Sequence, residues 1–377
     1  MIFKDFQTEK ISALGLGCMR FPLQEGSDQV DMVTTGEMVD YAIAKGVNYF
    51  DTAWGYHGGM SERIIGELLK KYPRESFYLA SKFPGFNGDN MAKKEEIFEE
   101  QLRKCQTDYF DFYLCHTVCE SNINLYLDPQ YGLIPYLLEQ KKKGRIRHIG
   151  FSNHGSLETV KRFLAAYGDV MEFCQVQLNW LDWDFQQAGA LVAYLNELHM
   201  PIWVMEPLRG GSLCTLAPKY MNILQNLAPD RSLPEWAFRY LETIPGVTVV
   251  LSGMSNMAQL RENVEIFGKM SPLTTDEVQT LLEIGADITA SNKLPCTKCN
   301  YCTAYCPQKL DIPELIAVYN EYKYTPGGFI APEQMKDFSE AQKPSACIGC
   351  GACEQVCPQK IEIRKMMEDF TARICHK

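Results

Sequence analysis

The sequence predicts an α/β protein, a (β/α)8 TIM barrel followed by a small, mainly α-helical domain. Three observations lead there. From residue 11 to about residue 268, short apolar runs alternate eight times with amphipathic stretches of helical period. Beyond them a Cys-x2-Cys-x2-Cys-x3-Cys-Pro pattern occurs twice, as Cys296, Cys299, Cys302, Cys306 and Pro307, then as Cys347, Cys350, Cys353, Cys357 and Pro358. Around these cysteines, Ile312, Leu315, Ile316 and Tyr319 fall at helical spacing, and residues 361–370 are patterned alike. The expected division is 1–285 for the barrel and 286–377 for the second domain.

Taken in order, the strand-like runs are 14–19, 47–53, 77–83, 110–116, 148–153, 174–179, 202–207 and 247–253. Helix candidates lie between and after them at 36–45, 61–71, 94–105, 133–143, 157–167, 187–199, 234–243 and 257–267. Gly46, Gly144 and Gly168 each follow a helix, where a C-cap glycine belongs. Thr274-Thr275-Asp276-Glu277 reads as the start of a further helix, which leads into a linker at 291–295. Pro326-Gly327-Gly328 reads as a loop within the second domain. The alternative architecture is a doubly wound open sheet. Against it, Gly15-x-Gly17 is not followed by the third glycine and helix of a dinucleotide fingerprint.

Composition narrows the function. A net charge of −10 argues against a nucleic-acid surface, which would carry a basic patch. The densest positive run, Lys141-Lys142-Lys143-Gly144-Arg145, suits a helix C-terminus, where cations complement the dipole. The first ten residues contain no apolar signal region, and no window is apolar enough to span a bilayer. A cytoplasmic protein without membrane contact is expected. Its fifteen cysteines then point to metal ligation and reduced thiols. Cys18, Cys105, Cys115, Cys119, Cys174, Cys214 and Cys375 lie outside the repeated pattern and are expected to be buried and unreactive.

In the repeated pattern, each run can place three thiolates on an iron-sulfur cube while its fourth cysteine ligates the other cube. That assigns Cys296, Cys299, Cys302 and Cys357 to one [4Fe-4S] centre, and Cys347, Cys350, Cys353 and Cys306 to the second. The competing reading is structural zinc, which uses paired Cys-x2-Cys. Zinc has no use for the third cysteine or the Cys-Pro ending. Two clusters imply one-electron chemistry and a ferredoxin-like iron-sulfur domain.

Within the barrel, Gly46 and Asp51-Thr52-Ala53-Trp54-Gly55-Tyr56 precede Ser61-Glu62-Arg63-Ile64-Ile65-Gly66. Later come Ser81-Lys82, Leu114-Cys115-His116, Gly150-Phe151-Ser152-Asn153, Gln175-Val176-Gln177, Pro207-Leu208-x-Gly210-Gly211 and Glu262-Asn263. This ordered series resembles the aldo-keto reductase superfamily over residues 11–268, and in particular its subgroup with a C-terminal two-cluster domain. The resemblance implies a catalytic tetrad of Asp51, Tyr56, Lys82 and His116 acting on a small carbonyl or alcohol substrate. Reducing a carbonyl requires hydride at carbon and a proton at oxygen, on which negative charge grows. Tyr56 would give the proton, and Lys82 would make that phenol more acidic. Asp51 would hold Lys82, and His116 would orient the carbonyl. Trp54 would line the substrate pocket or pack in the core.

The same resemblance implies NAD(H) or NADP(H) across the barrel mouth, with its carboxamide on Ser152, Asn153 and Gln175. Met205 occupies the position of the usual aromatic stacker, and Pro207, Leu208 and Gly210 form the loop after the seventh barrel strand. Members that prefer NADPH clamp its 2′-phosphate with cations; the corresponding positions here are Gly253, Met254 and Gln259, ahead of Glu262 and Asn263. Without a cation a phosphate dianion loses its charge-assisted partners, so NADH is expected to serve at least as readily. Hydride transfer moves two electrons together, whereas clusters pass them singly. A flavin in the barrel mouth would join the two, although no fingerprint marks one. The expected partner is a ferredoxin- or flavodoxin-type carrier. The alternative function is an electron relay or redox sensor whose barrel binds nucleotide without turning over a carbonyl. The clusters could also be purely structural.

Overall fold

The computed structural model describes residues 1–292, 294–296, 299–324 and 330–374. Ten strands are formed among the described residues: β1 (Phe3–Phe6), β2 (Glu9–Ser12), β3 (Leu14–Gly17), β4 (Tyr49–Asp51), β5 (Tyr78–Phe83), β6 (Phe110–Val118), β7 (Ile146–Asn153), β8 (Cys174–Gln177), β9 (Ile202–Met205) and β10 (Val247–Ser252). Strands β3 to β10 pair in parallel, each with its sequence neighbour, and β10 closes on β3 to complete the barrel. The doubly wound alternative is thereby excluded.

The main barrel helices are α1 (Met32–Ala44), α2 (Ser61–Leu69), α3 (Lys94–Cys105), α4 (Leu133–Lys142), α5 (Leu157–Tyr167), α6 (Ala188–Glu197), α7 (Leu233–Glu242) and α8 (Met257–Lys269). Side-chain caps fix several starts: Asp31 accepts from the Val33 and Thr34 amides, Ser156 from Thr159, and Ser232 from Glu235. Gly46 and Gly144 take left-handed φ values of 88° and 75° just past α1 and α4, as C-cap glycines do. Gly168 does not: its φ is −58°, and the chain continues into a 3-10 turn. Gly66 lets α2 and α3 approach, since a Cβ there would stand 2.6 Å from the Cys105 carbonyl carbon.

The antiparallel hairpin β1–β2 was not anticipated from the sequence. Its Phe6 and Ile11 are buried with Tyr49, Phe112, Phe173 and Trp203 inside the barrel. Ser12 and Asn48 exchange hydrogen bonds of 2.8 and 3.0 Å just ahead of β4, and Tyr78 at the start of β5 donates to Glu9. The hairpin therefore closes the N-terminal end of the barrel and leaves the C-terminal mouth open. Burying a phenylalanine in this way contributes about 1.5–3 kcal/mol.

The chain divides into two units, Met1–Leu282 and Glu283–Lys377. Their boundary falls within α9 (Thr275–Asn292), whose start is a capping box: Glu277 accepts from the Thr274 amide at 2.8 Å, and Thr274 Oγ1 accepts from the Glu277 amide at 3.3 Å. The helix occupies Ser291 and Asn292, the first residues of the expected linker; Lys293 lies outside the described residues. Among its described residues the second unit has helices joined by loops and no strand, and is built on α10 (Ile312–Tyr324) and α11 (Ile363–Ile374). Its core joins Leu310, Ile312, Leu315, Ile316, Ile363, Met367 and Phe370. The expected loop at Pro326-Gly327-Gly328 lies outside the described residues, as does Cys375. Among the described residues no helix is long and apolar enough to cross a membrane.

Candidate active site and cluster pockets

Strand register brings the four tetrad residues together at the barrel mouth. Asp51 ends β4, Lys82 is next to last in β5, and His116 lies near the end of β6. The Lys82 ammonium, fully buried, donates to Asp51 Oδ1 at 2.5 Å, to the Thr52 carbonyl at 2.8 Å and to the Tyr56 hydroxyl at 3.3 Å. The His116 ring stands edge-on to Tyr56, with centroids 6.0 Å apart. Asp51 Oδ2 and His116 Nδ1 are buried without a partner, leaving polar capacity at the mouth.

Tyr56 is aimed by an unusual turn. His57, Gly58 and Gly59 follow it at φ values of 51°, 62° and 87°. A non-glycine residue there is uncommon. His57 is held by accepting from the Phe21 amide at 3.1 Å while its ring stacks on Phe21. Behind Lys82, the buried Glu62 carboxylate accepts from Ser81 and Gln101 at 2.6 Å each and from Lys104 at 3.3 Å. Gln101 also donates to the Lys82 carbonyl at 3.0 Å and accepts from the Tyr113 hydroxyl. Trp54, half-buried, lies under the Lys104 ammonium, 3.6 Å from its ring centroid.

Burial sets the proton affinities. It pushes the Tyr56 phenol above its ordinary value of 10.0, and the nearby Lys82 charge only partly reverses this. Lys82 thus acts on the phenol in the acidifying direction expected from the sequence, but desolvation outweighs it and the net shift is upward. Burial opposes the charge on Lys82 as well, but Asp51 and Tyr56 hold its ammonium above the ordinary lysine range. Asp51 is raised by burial, with Lys82 pulling it back. Burial, then Lys82 and His154, keep His116 well below the usual histidine value, so its ring is neutral.

The residues assigned to nucleotide binding behave unequally. Ser152 Oγ accepts from the Thr117 amide at 2.8 Å, and both ends of the Asn153 amide are bonded to Gly155. Gln175 donates to the Met205 sulfur at 3.7 Å, and its Oε1 is buried and unpartnered. Gln259 Oε1 accepts from the Ser255 amide at the start of α8, and buried Asn263 donates to Ser252. Glu262 and Gly253 are exposed, and Met254 is buried. Pro207 is buried, Leu208 half-buried, and Gly210 takes a φ of 65° in a turn anchored by the buried Arg209–Asp182 ion pair of 2.9 Å.

Arg20 was missed by the sequence reading. Its stem covers Gly253, where a Cβ would meet Arg20 atoms at 3.0–3.1 Å, and its guanidinium pairs with Glu206 at 3.4 Å. The available signal was position: Arg20 follows the first barrel strand, at the end where barrel sites are built.

In the second unit two pockets gather the repeated cysteines. One is lined by Cys306, Cys347, Cys350 and Cys353, the other by Cys296, Cys299, Cys302 and Cys357. The remaining lining is largely apolar and includes no carboxylate. Each pocket draws three thiols from one run and one from the other, the donor set of an iron-sulfur cube. Elsewhere, burial holds for Cys18, Cys105, Cys115 and Cys174. It fails for Cys119, which is half-buried in the turn after β6, and Cys214, which is exposed at the end of a 3-10 turn.

Comparison with known proteins accords with this geometry. Residues 13–286 match the model of the aldo/keto reductase family, and residues 295–362 match that of a 4Fe-4S dicluster domain. An uncharacterized oxidoreductase, YqkF of Bacillus subtilis, is 27% identical over 72% of this chain and 92% of its own. An NADH-specific methylglyoxal reductase of Escherichia coli is 28% identical over 58% of this chain and 78% of its own. Among solved structures, the holo form of aldo-keto reductase AKR11C1 from Bacillus halodurans superposes with a TM-score of 0.62 at 25% identity, covering 75% of this chain and 96% of that one.

Proposed function

The chain belongs to the aldo/keto reductase family, and on that footing we propose that its barrel interconverts a small carbonyl compound and its alcohol, with Tyr56 as general acid. The observation that carries this is the Tyr56 hydroxyl, 3.3 Å from a buried ammonium and beside a neutral imidazole. The carbonyl oxygen would sit between Tyr56 and His116. Neutral His116 would donate one hydrogen bond and fix the carbonyl's orientation. Tyr56 would deliver its proton as negative charge develops on that oxygen, and Lys82 would stabilise the phenolate left behind. Asp51 would keep Lys82 charged and immobile.

A nicotinamide held at the mouth would supply or accept the hydride. The unpartnered Gln175 oxygen suits the amide N–H of a nicotinamide carboxamide. Arg20 brings a cation to Gly253, yet Glu206 already faces it. NADH is therefore expected to serve at least as well as NADPH, as the name of the Escherichia coli relative suggests for that enzyme. The eight cysteines would hold two [4Fe-4S] clusters that exchange single electrons with a ferredoxin- or flavodoxin-type carrier.

Reduction of a panel of small aldehydes, ketones and dicarbonyls with NADH and NADPH tests the barrel. Tyr56→Phe should lower turnover about 10²–10⁴-fold, the usual worth of a general acid. Unchanged turnover would defeat the proposed chemistry and leave the electron-relay reading. Iron and sulfide analysis after anaerobic purification, with extraction of bound nucleotide or flavin, tests the cofactors.

A further inference from the structure

The two halves of the second unit repeat one another closely, and the departures from the repeat carry charge. The short helices Tyr301–Ala304 and Ala352–Gln355 correspond, as do α10 and α11. Left-handed residues recur in step: Asn300 at 61° with Gly351 at 76°, and Lys309 at 53° with Lys360 at 51°. Solvent exposure is matched too. Cys299 and Cys350 are both exposed, and Cys302 and Cys353 are 6% and 7% exposed.

The pocket linings differ at one charged position. Arg364 lines the pocket of Cys306, Cys347, Cys350 and Cys353, while its counterpart Pro313 lines the other. The Arg364 guanidinium carbon lies 3.4 Å from where a Cβ on Gly351 would stand, so the cation packs against the turn that carries Cys350. Glu354 holds it there through the Arg364 amide at 2.8 Å and Nε at 2.9 Å, but does not itself line the pocket. Glu354 stands where the first half has Thr303, so the halves differ by an ion pair of which only the cation lines the pocket.

We propose that the two centres are electrically inequivalent, and that Arg364 makes the one held by Cys306, Cys347, Cys350 and Cys353 the higher-potential site where a transferred electron comes to rest. On reduction each centre takes one electron from a one-electron donor and gains one negative charge, and no bond is made or broken. A cation at the pocket wall stabilises that added charge; a proline does not. Because Arg364 is half exposed, salt screens part of the effect.

The inference rests on the two-cluster reading, which iron and sulfide content tests separately. The full-length protein, loaded and anaerobic, is titrated with dithionite and followed by electron paramagnetic resonance. Two reduction steps are expected. Cys350→Ser should alter the spectrum of the higher step, and Cys299→Ser that of the lower. Arg364→Gln should move only the higher step down. Glu354→Gln, which frees the cation from its counter-ion, should move the same step up. Added salt should narrow the gap. Opposite signs in the two variants separate electrostatics from general damage to the fold. A higher step assigned to the Cys299 pocket, or a titration that Arg364→Gln leaves unchanged, overturns the proposal.

Discussion

At the scale of single residues, the proton on Tyr56 decides how the site responds to pH. Burial holds the phenol above 10.0, so it remains a donor throughout the neutral range. Burial likewise keeps His116 uncharged down to well below 6.5. Carbonyl reduction at saturating substrate is therefore expected to be flat from about pH 6.5 to pH 10 and to fall above that, as the donor ionises. Alcohol oxidation needs the phenolate as base, and should climb towards alkaline pH over the same interval. Rate profiles in both directions check this; a break near 6.5 in reduction would mean that His116 titrates after all. The four residues expected to form a tetrad were readable because Asp51, Lys82 and His116 lie at or near strand ends and Tyr56 follows one, each in a recognisable local string. Arg20 and Glu206 were not, since they are 186 positions apart and belong to loops whose side chains follow no period. The Glu62, Gln101 and Tyr113 network escaped for the same reason: helix and strand patterns mark them as inward, without showing what they meet.

Among the elements, the hairpin and the barrel floor are joined through Glu172, just ahead of β8. Its carboxylate accepts from His148 Nδ1 at 2.8 Å, the Ile149 amide at 2.8 Å, Gln7 at 2.9 Å and Lys141. Burial alone would raise its pKa, but these bonds bring it down from 4.5 to about 2. A carboxyl lowered on folding adds stability that is present above pH 4.5 and is lost as pH falls towards 2. The shift corresponds to about 3 kcal/mol. Glu172→Gln should lower the unfolding free energy from urea titration at pH 7 by that order, with the gap from the parent protein closing as the pH approaches 2. A gap independent of pH would assign the loss to packing alone. The eight strand-helix units were legible because each buries an apolar run between turn signals. The hairpin was not: its strands are four residues long, their only buried apolar residues are Phe6 and Ile11, and the turn at Gln7, with φ of 52°, lacks the glycine or asparagine that announces hairpins. Gly168 shows the reverse error, a glycine in the expected place whose backbone any residue could adopt.

Across the whole molecule, the two units draw stability from different sources. The barrel core is continuous aromatic and aliphatic packing, closed below by the hairpin, and needs no metal. The core of the second unit includes Cys302 and Cys353, with Cys296, Cys306, Cys347 and Cys357 packed against it. Without clusters those thiols would border two cavities in the middle of a small core, where lost contacts cannot be recovered by collapse of a larger interior. The doubled spacing of the cysteines was visible in the sequence because ligand loops are local, and the lining of each pocket by one cysteine of the opposite run agrees with the crossed assignment. Binding the clusters would then be part of folding that unit. Removing iron anaerobically with a chelator should open Glu283–Lys377 to proteolysis and abolish its thermal transition, while Met1–Leu282 keeps its resistance and its own transition. Limited proteolysis with mass spectrometry and calorimetry reads both. A second unit equally resistant without iron would show that its helices carry the fold alone and that the clusters serve electron transfer only. A barrel that lost protection together with it would show that the two units unfold as one.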